Sequence, residues 1–202
     1  MVLFILIISG IHTSYANDNI IDLKKRVPDM QDDTSKVNVL LTPGEHYCSI
    51  ENDKALMYLQ EAFTISTSKK YTEGIGKSLL WHGRVYYYPL ASKYLDKAKK
   101  VLETTNELNA LAFTYFAKAE ISLIMGDFIR ALEMYKEAIE LTEKTGIIIT
   151  KLGLAVAQNR LGEPNAIEGS ENALAMARNI DNPNLISHAY KILADIYHKI
   201  MN

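Results

Sequence analysis

Residues 112–145 read AFTYFAKAEISLIMGDFIRALEMYKEAIELTEKT, and this stretch decides the fold. Small residues stand at Ala119, Ala131 and Ala138, while Gly126-Asp127 separates two runs whose apolar residues recur at helical spacing. Small side chains let helix axes approach closely where ridges meet grooves, and a glycine commonly ends a helix. The stretch therefore predicts two short helices packed as a hairpin. Because one hairpin cannot bury its apolar faces alone, it also predicts neighbouring copies in a stack.

The same arrangement of small residues recurs along the chain at intervals of 35 to 40 residues. The first-helix series is Gly44, Gly83, Ala119, Ala155 and Ala194, and the second-helix series is Ala62, Ala98, Ala138 and Ala173. These series predict hairpins over residues 37–68, 71–104, 112–145 and 148–180, followed by a lone helix over 185–201. In the second hairpin, Tyr87-Tyr88-Pro89-Leu90 is predicted as a short turn. The aromatic residues Tyr47, Tyr86 and Tyr197 follow small first-helix residues by three positions and are predicted to lie in hairpin cores.

The hairpin over residues 112–145 resembles a tetratricopeptide repeat, and the resemblance extends from about Val37 to Met201. It implies an all-α fold, a right-handed superhelical stack of about four and a half hairpins. A narrower resemblance lies in the order of Ile20-Ile21-Asp22-Leu23, Asp33-Thr34-Ser35-Lys36-Val37 and Asn52-Asp53-Lys54-Ala55-Leu56. This order is similar to exported tetratricopeptide sensor regions of Bacteroidetes signalling proteins. In those proteins the repeats lead into a membrane helix and then a histidine kinase or a DNA-binding helix-turn-helix domain.

No output domain of that kind is recognisable in these 202 residues. The expectation is a sensor region separated from its output half. The alternative is a stand-alone assembly adaptor in the periplasm or cytoplasm, in which the apolar helix Leu185–Met201 pairs two copies.

The N-terminal residues 1–16 resemble a secretory signal peptide. The apolar run Val2–Ile8 is far shorter than the roughly 20 residues that cross a membrane, and Ser14 and Ala16 provide the small residues of a cleavage site. No Lys or Arg precedes the run, which departs from the usual basic start. We expect cleavage after Ala16, export to the periplasm and no stable membrane insertion. A polar segment over 17–35 then precedes the repeat domain, 36–202, with Asp32–Ser35 as the predicted helix start.

The composition and the motifs give no support for catalysis, for metal or cofactor binding, or for nucleic-acid binding. The net charge is −2 with both signs interspersed, so no basic surface for nucleic acid is expected. None of the five histidines stands three or four residues from another, and the single cysteine, Cys48, cannot form an internal disulfide. The run Gly74–Ser78 lacks the full spacing of a phosphate loop. We therefore expect no catalytic residue, no metal and no cofactor.

The expected function is protein or peptide binding in a groove lined by the first helices. The predicted groove residues are Lys77, Leu80, Arg84, Tyr87, Phe113, Phe116, Glu120, Asn159 and Arg160. Phe113 and Phe116 would anchor an extended or helical peptide, while the basic side chains would take its carboxylates. The alternative for the two phenylalanines is packing against the neighbouring hairpin.

Overall fold

A computed structural model describes residues 27–86, 88–141 and 144–201. The predicted signal peptide, residues 17–26 of the polar segment and Tyr87 lie outside the described residues. Within these ranges the chain forms nine helices and no strand. In chain order they are α1 (Thr34–Tyr47), α2 (Asn52–Ser68), α3 (Thr72–Val85), α4 (Tyr88–Leu102), α5 (Leu108–Met125), α6 (Phe128–Leu141), α7 (Lys144–Leu161), α8 (Asn165–Asn179) and α9 (Pro183–Met201).

Helix α1 starts where the acidic cluster predicts. The Lys36 backbone N–H donates to Asp33 Oδ1 at 3.1 Å, so Asp33 caps the first turn. A short 3₁₀ turn, Val27–Asp29, precedes it and contributes the buried Val27 to the core under α1. The predicted polar segment thus contributes one residue, Val27, to the core, which its charged composition does not indicate.

Four helices, α2, α5, α7 and α8, end in the same backbone motif. After α5, Asp127 N–H donates to Ser122 O at 2.9 Å and Gly126 N–H to Leu123 O at 3.2 Å. Gly126 has a φ of +81°, so a residue without Cβ closes the helix without strain. The equivalent left-handed residues are Lys70, Gly162 and Asp181. The predicted helix end at Gly126-Asp127 is confirmed, and the same C-terminal motif ends three other helices.

The first compact unit contains α1 to α4 and ends at Ala110. Successive helices pack against each other, and α1 also contacts α3. A Cβ on Gly44 would lie 2.6 Å from Leu59 Cδ2, and one on Gly83 would lie 2.7 Å from Leu95 Cγ. Both glycines are therefore required by close helix approach, as the repeat series predicts. Helix α4 begins at Tyr88, two residues after Tyr86, so the predicted turn is shorter than the sequence indicates.

The second compact unit begins at Leu111, in the first turn of α5. Helices α6 to α9 pack in succession, and α9 also contacts α7. Four of the predicted small residues in this unit are fully buried, namely Ala119, Ala138, Ala155 and Ala173. The all-α fold and its packing of neighbouring helices are as predicted.

The last position of the first-helix series is wrong. Ala194 is exposed, and the small residue that α9 buries is Ala189, which follows Ala155 by 34 residues. Tyr197 is consequently 45% exposed and outside the core, unlike the half-buried Tyr47 and Tyr86. The apolar residues of α9 cover more than one face, so the sequence alone does not define which face is packed.

Candidate protein-binding surface

Each unit contains a pair of first helices that touch directly, α1 with α3 and α7 with α9. In the first unit the Cys48 thiol, just after α1, lies 3.7 Å from the Trp81 carbonyl oxygen of α3, and 3.1 Å from that of Gly44. In the second unit the Lys199 ammonium of α9 donates to the Asn159 carbonyl oxygen of α7 at 2.5 Å. Within each unit, these contacts place two first helices side by side.

Two predicted groove residues, Leu80 and Phe116, are packed in the interior. Leu80 is 2% exposed and Phe116 is 4% exposed, and the Phe116 ring lies 6.0 Å from that of Tyr135. Each precedes a small core residue, Gly83 or Ala119, by three positions. Residues three apart share one helix face, so both side chains follow the small residue into the core. The contact of Phe116 with Tyr135 lies within its own hairpin, whereas the alternative from the sequence was packing against the neighbouring hairpin.

The two predicted basic residues of α3 have different surroundings. The Lys77 ammonium forms an ion pair with Glu107 at 2.6 Å, which ties α3 to the segment that follows α4. Arg84 is half-buried, and its positive charge acts on Glu45 and on Cys48 of the α1 end. Of the two, Arg84 belongs to the surface that α1 and α3 form together.

The predicted residues of α5 are mostly engaged inside the second unit. Phe113 is half-buried, and its ring stacks on Phe116 with centroids 5.7 Å apart. Glu120 accepts a hydrogen bond from the hydroxyl of Tyr135 on α6. These contacts give both residues a packing role, whatever else they contact.

At the α7 end, Asn159 is half-buried and binds Lys199 through its backbone carbonyl, while Arg160 is exposed. The predicted residues therefore fall into two sets, one in each compact unit. Whether any of them contacts a partner stays a prediction.

Two residues that the sequence analysis did not select, Glu45 and Trp81, complete the surface of the first unit. We call the group of Glu45, Cys48, Trp81 and Arg84 the Trp81 surface. Trp81 is half-buried and is the single tryptophan of the chain. Desolvation raises the pKa of Glu45, and the positive charge of Arg84 acts in the opposite direction. Glu45 could have been found from its register, since it follows Gly44 as Arg84 follows Gly83.

Burial favours the uncharged forms of two titratable groups in the first unit, the thiol of Cys48 and the imidazole of His82. Burial raises the pKa of the Cys48 thiol to about 12, despite the nearby charge of Arg84, so the thiol stays protonated at neutral pH. Burial lowers the pKa of His82, whose Nδ1 lies 2.7 Å from the Ser78 carbonyl oxygen. Neither group is prepared as a nucleophile or base on the surface.

The run Gly74–Ser78, which partly resembles a phosphate loop, is explained by helix packing. Gly74–Ser78 lies inside α3, where a Cβ on Gly76 would be 2.5 Å from Leu102 Cδ2. Among residues 27–86, 88–141 and 144–201, no group of three His, Cys, Asp or Glu side chains could hold a metal ion. In the same ranges no helix has the length and apolar character needed to cross a bilayer.

The structure is all-α, with neighbouring helices packed against each other as in a helical repeat stack. BBSome complex member BBS4 from Bos taurus is 36% identical over 66 residues, which are 33% of this chain and 13% of that relative. BBSome complex member BBS4 from Mus musculus is 35% identical over the same share of each chain. The similarity is thus confined to a short part of the relatives, and no family model matches the chain.

Proposed function

We propose that this protein is a non-enzymatic scaffold that binds a protein or peptide on the first helices of its hairpins. The observation that supports this most directly is the Trp81 surface, where Trp81 and Arg84 lie three residues apart on α3 and the positive charge of Arg84 acts on Glu45 of α1. Tryptophan and arginine are the side chains most often found at the energetic centre of protein interfaces. The BBS4 relatives are by name members of a complex, which is consistent with a scaffold.

The partner that this surface suits is a peptide segment with an apolar side chain next to a carboxylate. The apolar group would pack on Trp81, and the carboxylate would pair with Arg84 in competition with Glu45. In the second unit, four predicted contacts have exposed or half-buried side chains, namely Phe113, Glu120, Asn159 and Arg160.

Affinity capture tests this proposal. The full chain would be used as bait in parallel with Arg84→Ala and with Arg130→Ala, which removes an exposed arginine of α6. We expect one partner to be retained by the wild type and by Arg130→Ala, and its affinity for Arg84→Ala to fall about tenfold. Because Trp81 is the single tryptophan, its fluorescence should change on titration with that partner. Equal affinity for all three baits would contradict the assignment of the surface.

At a finer level, the protein acts as the exported sensing region of a bacterial signalling system. The support is the apolar N-terminal run before Ser14 and Ala16, together with the order of motifs between residues 17 and 58 that resembles exported sensor regions. Partner binding would then alter the curvature or association of the hairpins and transmit the signal.

Export has a direct test in the mature N-terminus. Expression in a Gram-negative host, followed by separation of the periplasm and mass spectrometry, should yield a chain that begins at Asn17. A cytoplasmic product that keeps Met1 would refute export and would leave the binding proposal unaffected.

A further inference from the structure

The second unit has an exposed face built from both α8 and α9. It consists of Glu171, Ala175 and Arg178 on α8 and Tyr190, Ala194 and Tyr197 on α9, and we call it the α8–α9 face. All six residues are exposed, and the two tyrosines are 48% and 45% exposed. The residues recur at spacings of three and four, so on each helix they share one side. No described helix covers this side.

The charges on this face have a defined order. The Arg178 guanidinium lies 5.5 Å from the centroid of the Tyr190 ring and binds its hydroxyl. At the other end, the Tyr197 hydroxyl donates to Glu171 Oε1 at 3.4 Å. A positive charge therefore marks the Tyr190 end of the face and a negative charge marks the Tyr197 end. The small residues Ala175 and Ala194 lie midway between the two ends.

The arrangement of positive and negative charges on the α8–α9 face is self-complementary. A two-fold axis that lies in the interface, perpendicular to the helices and through Ala175 and Ala194, places α9 antiparallel to α9 of a second copy and α8 antiparallel to α8. Each Tyr190 then faces a Tyr197, and each Arg178 faces a Glu171. The small residues on the axis allow the helices to approach closely. Self-complementarity about a two-fold axis is what a closed homodimer requires.

We propose that the α8–α9 face binds a second copy of this chain, giving an antiparallel dimer held by tyrosine contacts and by two Arg178–Glu171 ion pairs. This inference is independent of the partner bound at the Trp81 surface. The face covers eight residues of each helix, about 12 Å, and with two helices it is about 20 Å wide, so it covers on the order of 240 Å² per copy. An interface of that size lies below the usual range for stable complexes, so the dimer is weak and reversible.

Sedimentation equilibrium of the full chain, from about 5 to 500 µM, tests the dimer. We expect a reversible monomer–dimer equilibrium within this range. Arg178→Glu and Glu171→Arg each place like charges together at two symmetric contacts, and each should raise the dissociation constant by about tenfold or more. Glu137→Arg reverses an exposed charge on α6 and is the matched control, for which no change is expected.

A mixing experiment separates this geometry from any other mode of association. In a dimer of one Arg178→Glu chain with one Glu171→Arg chain, both facing pairs have opposite charges again. The mixture should therefore dimerise about as well as the wild type, although neither variant does so alone. Ala194→Glu places two carboxylates at the axis and should abolish dimerisation, with circular dichroism confirming the fold. A wild type that stays monomeric at about 500 µM, or a mixture that is not rescued, would overturn the proposal.

Discussion

The hydroxyl of Tyr135 on α6 donates a hydrogen bond to Oε1 of Glu120 on α5. Tyr135 is fully buried, and its ring packs on Phe116 inside the same hairpin. Burial raises the pKa of Tyr135 well above its ordinary value, and the negative charge of Glu120 acts in the same direction. The phenol therefore stays protonated and can donate this hydrogen bond. Glu120, which the sequence predicts as a groove residue, accepts a hydrogen bond inside the hairpin.

Removing this donor should destabilise the hairpin. Tyr135→Phe keeps the ring but removes the hydrogen bond to the half-buried Glu120, and we expect a loss of about 1–2 kcal/mol in the free energy of unfolding. Glu120→Gln keeps an acceptor oxygen and should cost less than half as much. Urea denaturation followed by far-UV circular dichroism would measure both. Equal stability of Tyr135→Phe and the wild type would show that the hydrogen bond contributes nothing.

Tyr135 also explains why α7 contains a glycine. A Cβ on Gly153 would lie 2.5 Å from two ring atoms of Tyr135. Gly153→Ala should therefore destabilise the second unit by about 1–3 kcal/mol through overpacking, despite the better helix propensity of alanine.

Gly169 in α8 is the matched control for Gly153. It too lies inside a helix, but a Cβ there would meet its nearest neighbour, Gln158 Oε1, at 3.6 Å, an ordinary contact. Gly169→Ala should raise the free energy of unfolding by about 0.5–1 kcal/mol. Two glycine-to-alanine changes with the same sign would contradict the packing explanation.

The periodicity of the fold was predictable because each helix crossing needs a small residue. Gly44, Ala119 and Ala138 occupy such crossings, and one well-formed hairpin was enough to identify the period. Ala194 was misplaced because α9 has apolar residues on two faces, and only contact with α7 and α8 determines which face is packed.

The candidate site was less predictable than the fold. A shift of one residue along a helix turns a side chain by about 100°, so a groove position and a core position are adjacent in sequence. Leu80 could have been excluded by its spacing of three from Gly83. The pairs Cys48–Trp81 and Glu45–Arg84 could not be predicted from sequence, since each depends on how α1 packs on α3.

The two non-glycine residues at left-handed helix ends are sites for stabilisation. Lys70 has a φ of +55° after α2, and Asp181 has a φ of +50° after α8. A residue with a Cβ is strained there, whereas glycine is not. Lys70→Gly and Asp181→Gly should each raise the free energy of unfolding by about 0.5–1 kcal/mol. Conversely, Gly126→Ala, at a φ of +81°, should lower it by about 1 kcal/mol.

Thermal unfolding of these three variants would measure the effects. Thr72→Gly, at the first residue of α3, is the control for glycine itself and should not stabilise the protein. Stabilisation by Thr72→Gly of the same size as by Lys70→Gly would refute the explanation from backbone strain.

Acidification should destabilise the first unit through His82. The imidazole is buried, with its ring 5.4 Å from that of Tyr94 and its Nδ1 against the Ser78 carbonyl oxygen. Burial lowers the pKa of His82 in the folded chain below its ordinary value of 6.5, although the Ser78 hydrogen bond acts in the opposite direction. As the pH falls through 6.5, the unfolded chain therefore binds a proton first, and folding stability decreases until the folded-state pKa is passed.

Trp81 allows this effect to be measured in the first unit, since it is the single tryptophan. Urea denaturation followed by its fluorescence between about pH 7.5 and 5.5 should give a free energy of unfolding that declines with falling pH. His82→Phe keeps an aromatic ring beside Phe63 and Tyr94 and removes the titrating group, so the decline should become shallower. An unchanged pH dependence in His82→Phe would assign the acid sensitivity of this unit to other groups.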